Sequence, residues 1–432
     1  MDTQREHFLG LCLAIPEKRL MYELENSIFV HPFTRQREGD EVIVGRPETG
    51  LFVAVPCEAL ELLDDLKSGL TIQEVSDKYY RNHGEKPDVI GFLKGLEPYR
   101  IFELPEPEAD ATRNLNQQRS TRKVRRFHFT SIPQWFAAVL FGRVALFSYL
   151  IMVCAAVVLC AIHPHLITGR RDLYFPDHRT ISLMGLFALT YVGLFLHEMG
   201  HLIAARAVGV QSTMGISNRL WILVAETDLT GLWGVPKAQR YIPLFGGVIV
   251  DAVSASLFVF LLFMQDQHLL PIPLVANRIF RATIFASLLR IAFQFSFFVR
   301  TDFYYVIAAY LSCNNLMHDT QIYLKNQLAK IIPGMRHVDF SAVQLKQLWA
   351  IRIYSLCWLS GRALAFTIFF AVTIPLSFQY FRSLMPAVLR GYSANRDDFT
   401  AAVLMGTYVF LPLVLGILLW MKSIFFQERS AA

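Results

Sequence analysis

The chain has 432 residues, 54% of them hydrophobic and 18% charged, with a formal net charge of +6. So apolar a composition excludes an ordinary soluble protein and fits a polytopic membrane protein with a polar appendage. The small positive balance, with no long basic run interleaved with aromatics, argues against nucleic acid as a partner.

The N-terminus MDTQREHFLGLCLAIPEKRL is not a signal peptide, because its apolar stretch is short and charge follows it. The front part is therefore expected to stay in the cytoplasm. Residues 1–125 are polar and mixed, and hydrophobicity rises after the basic cluster Thr121-Arg122-Lys123-Val124-Arg125-Arg126. This predicts two domains, 1–125 and 126–432. In the first, EVIVGRPETGLFVAVP reads as two strands around a Pro/Gly turn. CEALELLDDLKSG has helical spacing and a glycine stop. TIQEVSDKYY opens with Thr71 followed three residues later by Glu74, a capping-box pattern. DVIGFLKGLEPYRIFEL reads as a third helix running into a strand. The order strand, strand, helix, helix, helix, strand predicts a small winged-helix-like α/β domain.

Behind it lie about six segments of membrane length, near 144–163, 181–207, 241–264, 277–299, 353–381 and 400–421. The expected fold class is thus a polytopic α-helical membrane protein with a small N-terminal α/β domain, embedded in a lipid bilayer. The cluster at 122–126 precedes the first span, so the positive-inside rule puts both termini in the cytoplasm. The six cysteines form no C-x-x-C pair and read as free packing thiols. Residues 208–240 read either as a hairpin beside the second span or as an interfacial loop anchored by Trp221 and Trp233.

The second segment contains His197-Glu198-Met199-Gly200-His201. Residues four apart on a helix lie about 40° apart around it and about 6 Å apart along it. Both imidazoles can therefore reach one zinc ion (Zn2+). Glu198, beside the first, is placed as the general base for the attacking water. Ionisable groups at mid-bilayer cost on the order of 2.5–3.5 kcal/mol each, so the pentapeptide needs a reason to be there.

A catalytic zinc needs a third protein ligand. Asp302, in FFVRTDFYYV at the end of the fourth segment, is expected near the depth of His201, the bland alternative being an interfacial helix-end aspartate. Asp251 and Arg290 lie at equal depth on consecutive segments. They read as an ion pair, with orientation of a zinc-bound histidine or of the substrate by Asp251 as the alternative. Arg300 reads as facing lipid headgroups or neutralising charge near the site.

These residues resemble the site-2 protease superfamily of intramembrane zinc metalloproteases. Arg300-Thr301-Asp302-Phe303-Tyr304-Tyr305 looks like the R-x-D-G-Y-Y segment of its bacterial branch of peptide zinc metalloproteases. The resemblance implies Asp302 as third ligand. Phe303 replaces the usual glycine, and Ser296-Phe297 stand where that branch has Asn-Pro. Gly246-Gly247-Val248-Ile249-Val250-Asp251 resembles the family's glycine-rich signature, with Asp251 where asparagine is common. Residues 22–104 are similar to PqqD-like domains, which bind leader segments of ribosomally made, modified peptides; a regulatory or structural role is the alternative. Together these imply a zinc endopeptidase in a bacterial cell membrane that cleaves a precursor peptide delivered by the front domain. The alternatives are a protease releasing a membrane-anchored regulator, and a non-catalytic transport or immunity protein with a structural zinc. Residues 306–432 match nothing in either family.

Overall fold

The computed structural model describes residues 24–25, 27–39, 41–46, 51–103, 127–128, 132–169, 172, 179–313, 316–332 and 345–428. The basic cluster at 122–126, on which the expected orientation rests, lies outside them. The chain divides into two compact units, Met1–Arg122 and Lys123–Ala432.

The first unit carries strands β1 (Phe29–Val30), β2 (Thr34–Glu38), β3 (Glu41–Arg46) and β4 (Leu51–Pro56). Helices α1 (Cys57–Lys67), α2 (Ile72–His83) and α3 (Val89–Leu96) follow, then β5 (Phe102–Glu103). β2, β3 and β4 form an antiparallel meander, and β1 pairs with β5. The two strands expected around the Pro/Gly turn are β3 and β4, with Glu41 opposite Pro56 and Arg46 opposite Leu51. The structure adds β1 and β2 before them. The sheet closes over Val44, Leu63, Leu66, Ile72, Val75 and Leu93, all fully buried. Each such side chain contributes about 1.5–3 kcal/mol over its exposed state. The expected capping box is formed: Thr71 Oγ1 accepts from the Glu74 N–H at 3.2 Å, and Glu74 Oε2 accepts from the Thr71 N–H at 2.9 Å. α2 ends on Gly84, whose φ of +77° is left-handed.

The second unit is mostly helical. It contains β6 (Phe127–His128), α4 (Gln134–Leu140), α5 (Arg143–Ile162), α6 (Arg179–Ala207), β7 (Thr213–Arg219), β8 (Ile222–Asp228), α7 (Lys237–Asp266) and α8 (Leu274–Phe293). After these come α9 (Asp302–Tyr310), α10 (Leu316–Ala329), α11 (Leu345–Ile368), α12 (Ile374–Arg390) and α13 (Arg396–Glu428). Among the described residues, four helical stretches are long and apolar enough to cross a membrane: Gln134–Ile162, Lys237–Asp266, Gln347–Arg390 and Arg396–Lys422. They contain four of the six expected segments. The segment 181–207 falls in α6. The segment 277–299 is not a continuous span. Its helix carries Arg278, Arg281 and Arg290 and stops at Phe293, and the chain then turns through a 3-10 segment, Phe297–Val299. The 44-residue stretch is continuous but widens to a π-helix at Phe369–Thr373. Pro375, just beyond, has no N–H for the α-helical bond to Ala371, so the backbone finds a wider turn there.

Residues 208–240 do contain a hairpin. β7 and β8 pair from Thr213 opposite Asp228 to Arg219 opposite Ile222. The tip residue Trp221 is buried, its ring 4.2 Å from that of Phe369 and 6.0 Å from that of Trp420. It therefore packs inside the protein. Trp233 instead stacks under Arg240, 5.0 Å from the guanidinium carbon.

α6 and α7 touch through backbone. A Cβ on Gly200 would sit 2.5 Å from the Gly246 carbonyl oxygen, and one on Gly246 would sit 2.6 Å from that of Gly200. Only glycine permits this approach. It sets the distance between the histidines of α6 and the polar groups of α7.

Candidate metal centre

The HEMGH pentapeptide occupies the C-terminal half of α6, where His197, Glu198 and His201 are all buried. His201 Nδ1 lies 2.8 Å from the Pro243 carbonyl oxygen of α7. A carbonyl only accepts, so Nδ1 donates and Nε2 presents its lone pair. His197 Nδ1 lies 2.8 Å from Asp251 Oδ2. The other oxygen of Asp251 accepts from Arg290 Nε at 2.9 Å and Nη2 at 2.7 Å. Against a carboxylate bonded to a guanidinium, His197 Nδ1 also donates, and its Nε2 too presents a lone pair. Each imidazole is therefore fixed in tautomer and direction by a group on α7.

The two Nε2 atoms are 3.3 Å apart, and each is 3.1 Å from Asp302 Oδ2. Three such atoms at this spacing call for a cation or a shared proton among them. Tetrahedral zinc with ligands at about 2.0–2.1 Å places neighbouring ligand atoms roughly 3.3 Å apart, so the triangle fits one face of such a site. The donor set, two imidazoles and a carboxylate, also suits zinc. Among the described residues, His197, His201 and Asp302 form one of two groups able to hold a metal ion.

Asp302 is the first residue of α9, and Arg300 just before it has a left-handed backbone, φ +59°. The Asp302 N–H donates to Gln294 Oε1 at 3.0 Å, and Thr301 Oγ1 donates to the Gln294 carbonyl at 2.6 Å. Gln294 thus ties the end of α8 to the start of α9 and sets where the carboxylate points. Phe303 packs its ring against Phe295 and Phe245, with centroids 4.7 Å and 5.8 Å away.

Glu198 stays outside the triangle. Its Oε2 accepts from Thr227 Oγ1 of β8 at 2.8 Å. A cavity of about 610 Å³ opens here, lined by Glu198, both histidines, Asp302 and the strand from Leu223 to Asp228. Arg300 also lines it. Nearest the triangle, Arg290 offsets Asp251, and a dication would offset Asp302 and Glu198.

His197, Glu198, His201, Asp302, Asp251 and Arg290, all singled out from the sequence, therefore meet in one place. Asp251 is bonded to both Arg290 and His197. Sequence reasoning missed Gln294, Thr227 and the Pro243 carbonyl. Gln294 left one signal, an amide in the apolar run IAFQFSFF. Thr227 and Pro243 left none. No protein-family model, curated protein or solved structure matches the chain.

Proposed function

We propose that this protein is a zinc endopeptidase working at membrane depth, on the plan of the site-2 protease superfamily. The observation that carries the reading is the triangle of His197 Nε2, His201 Nε2 and Asp302 Oδ2, with Glu198 beside it and outside it in the same cavity. Zinc held there would supply a Lewis acid that brings a water's pKa towards neutrality. Glu198 takes the proton of the attacking water and returns it to the leaving amine, with Thr227 holding the carboxylate in position. His197 and His201 are held by their bonds to Asp251 and Pro243 with Nε2 facing the metal position.

The substrate is an extended peptide. A helical amide is screened by its own hydrogen bonds, and β8 is an edge strand lining the cavity. A peptide laid along Leu223–Asp228 by strand addition would run past Glu198. The front unit, with β2 at one edge of its meander, would bind the leader of a precursor peptide in the manner of PqqD-like domains. The charge of residues 122–126 would place the front unit in the cytoplasm.

The test is Glu198→Gln in the full-length protein, with cleavage followed by mass spectrometry and zinc by elemental analysis. The expected result is zinc retained and cleavage lost. Cleavage at the wild-type rate would remove the mechanism, and loss of zinc would make Glu198 a ligand and not a base.

A further inference from the structure

The second group able to hold a metal is His163, His165 and Asp266. It lies far from the centre described above. Asp266 ends α7, fifteen residues beyond the Asp251 that touches His197, which is about 22 Å along the helix axis. His163 and His165 flank Pro164 directly after α5, which runs beside α7 with Ala156 packed among Ala255, Val259 and Leu262. Both ligand-bearing helix ends therefore emerge together, at the end of α7 remote from its Pro243 carbonyl.

We propose that this cluster is a second divalent-metal site, taking zinc or another borderline cation such as copper(II) or nickel(II). The three ligand atoms lie within 4.8 Å of one another, and His165 Nε2 is 3.2 Å from Asp266 Oδ2, the edge length of a tetrahedral face. An ion pair of His165 with Asp266 engages only two of the three, whereas a metal uses all of them. Two imidazoles and one carboxylate select against magnesium and calcium, which prefer all-oxygen sites.

The backbone that carries the ligands is held in place. Pro164 fixes the turn between the histidines, and the fully buried Leu166 anchors it. Arg281 Nη1 donates to the His165 carbonyl at 3.1 Å, and the His163 ring lies 5.2 Å from that of Phe263. The His165 and Asp266 side chains are about half exposed, free to rotate onto an ion and leaving coordination positions to water. The site is therefore exchangeable. Its occupancy would clamp α5 to α7, the helix that orients both imidazoles of the buried centre.

The experiment uses the full chain, purified in detergent with any affinity tag removed, stripped with chelator and titrated with zinc alone. His197→Ala/His201→Ala, which removes the buried centre, should still bind about one zinc per chain and gain thermal stability with zinc. Adding His165→Ala or the isosteric Asp266→Asn should weaken that binding at least tenfold and abolish the shift. Equal zinc binding with and without these additions overturns the second site. Because the titration is read in the His197→Ala/His201→Ala background, its failure is distinguishable from failure of the protease reading.

Discussion

Asp251 and His197 meet at 2.8 Å in the buried interior, and the carboxylate oxygen facing away from the imidazole takes a two-pronged bond from Arg290. A buried aspartate is costly without a counter-charge, and a ligand histidine is adrift without an acceptor for its other nitrogen. One carboxylate answers both needs. Asp251→Asn should lower zinc affinity about 10- to 100-fold, the usual effect of losing such a partner. Arg290→Met should act in the same direction, since it strands the carboxylate. A competition titration with a chromophoric chelator measures both, and unchanged affinity in both variants would reduce Asp251 to a packing residue.

Asp302→Ala should cost more zinc affinity than Asp251→Ala, because it deletes a corner of the triangle and not a support behind it. Comparing the two dissociation constants in the same buffer decides this. The opposite order would remove Asp302 from the ligand set.

Gly247 lies against the His197 imidazole, and a Cβ there would overlap the ring. Gly247→Ala should displace His197 and weaken zinc binding, with an overpacking cost of about 1–3 kcal/mol. Ala at Gly406, where a Cβ meets nothing within 4 Å, is the control. Zinc titration and thermal melts of the two variants check the contrast.

Deleting residues 1–122 should raise KM for a precursor peptide and leave turnover of a short peptide spanning the cut site nearly unchanged. The premise is that the front unit binds and does not catalyse. An unchanged KM for the precursor, at equal amounts of folded enzyme, assigns that unit another task.

Much of the centre was legible because its chemistry is local or periodic. HEMGH puts two imidazoles on one helix face whatever surrounds it, and Asp302 stood out as an acid between aromatic neighbours at the right depth. β3 and β4 showed as β-branched runs around a turn, and the capping box as a threonine three residues before a glutamate. β2 did not show, because TRQRE is polar throughout and pairs as a half-exposed edge. The break of 277–299 at Phe293 was missed because a hydropathy window averages over three arginines and over Gln294, the residue that closes the turn. Thr227 and the Pro243 carbonyl act on residues 29 and 42 positions away, and no local pattern encodes such partners.

The glycine contact between α6 and α7 has a mechanical consequence. The helix that carries the two imidazoles and the helix that aims them meet backbone to backbone at Gly200 and Gly246. A slide or tilt of one helix on the other would pull Asp251 and Pro243 off their imidazoles in the same movement. This seam cannot part without pulling the supporting groups of α7 away from His197 and His201. The β7–β8 hairpin, by contrast, is held through the Trp221 side chain against the π-helical segment of the 44-residue stretch.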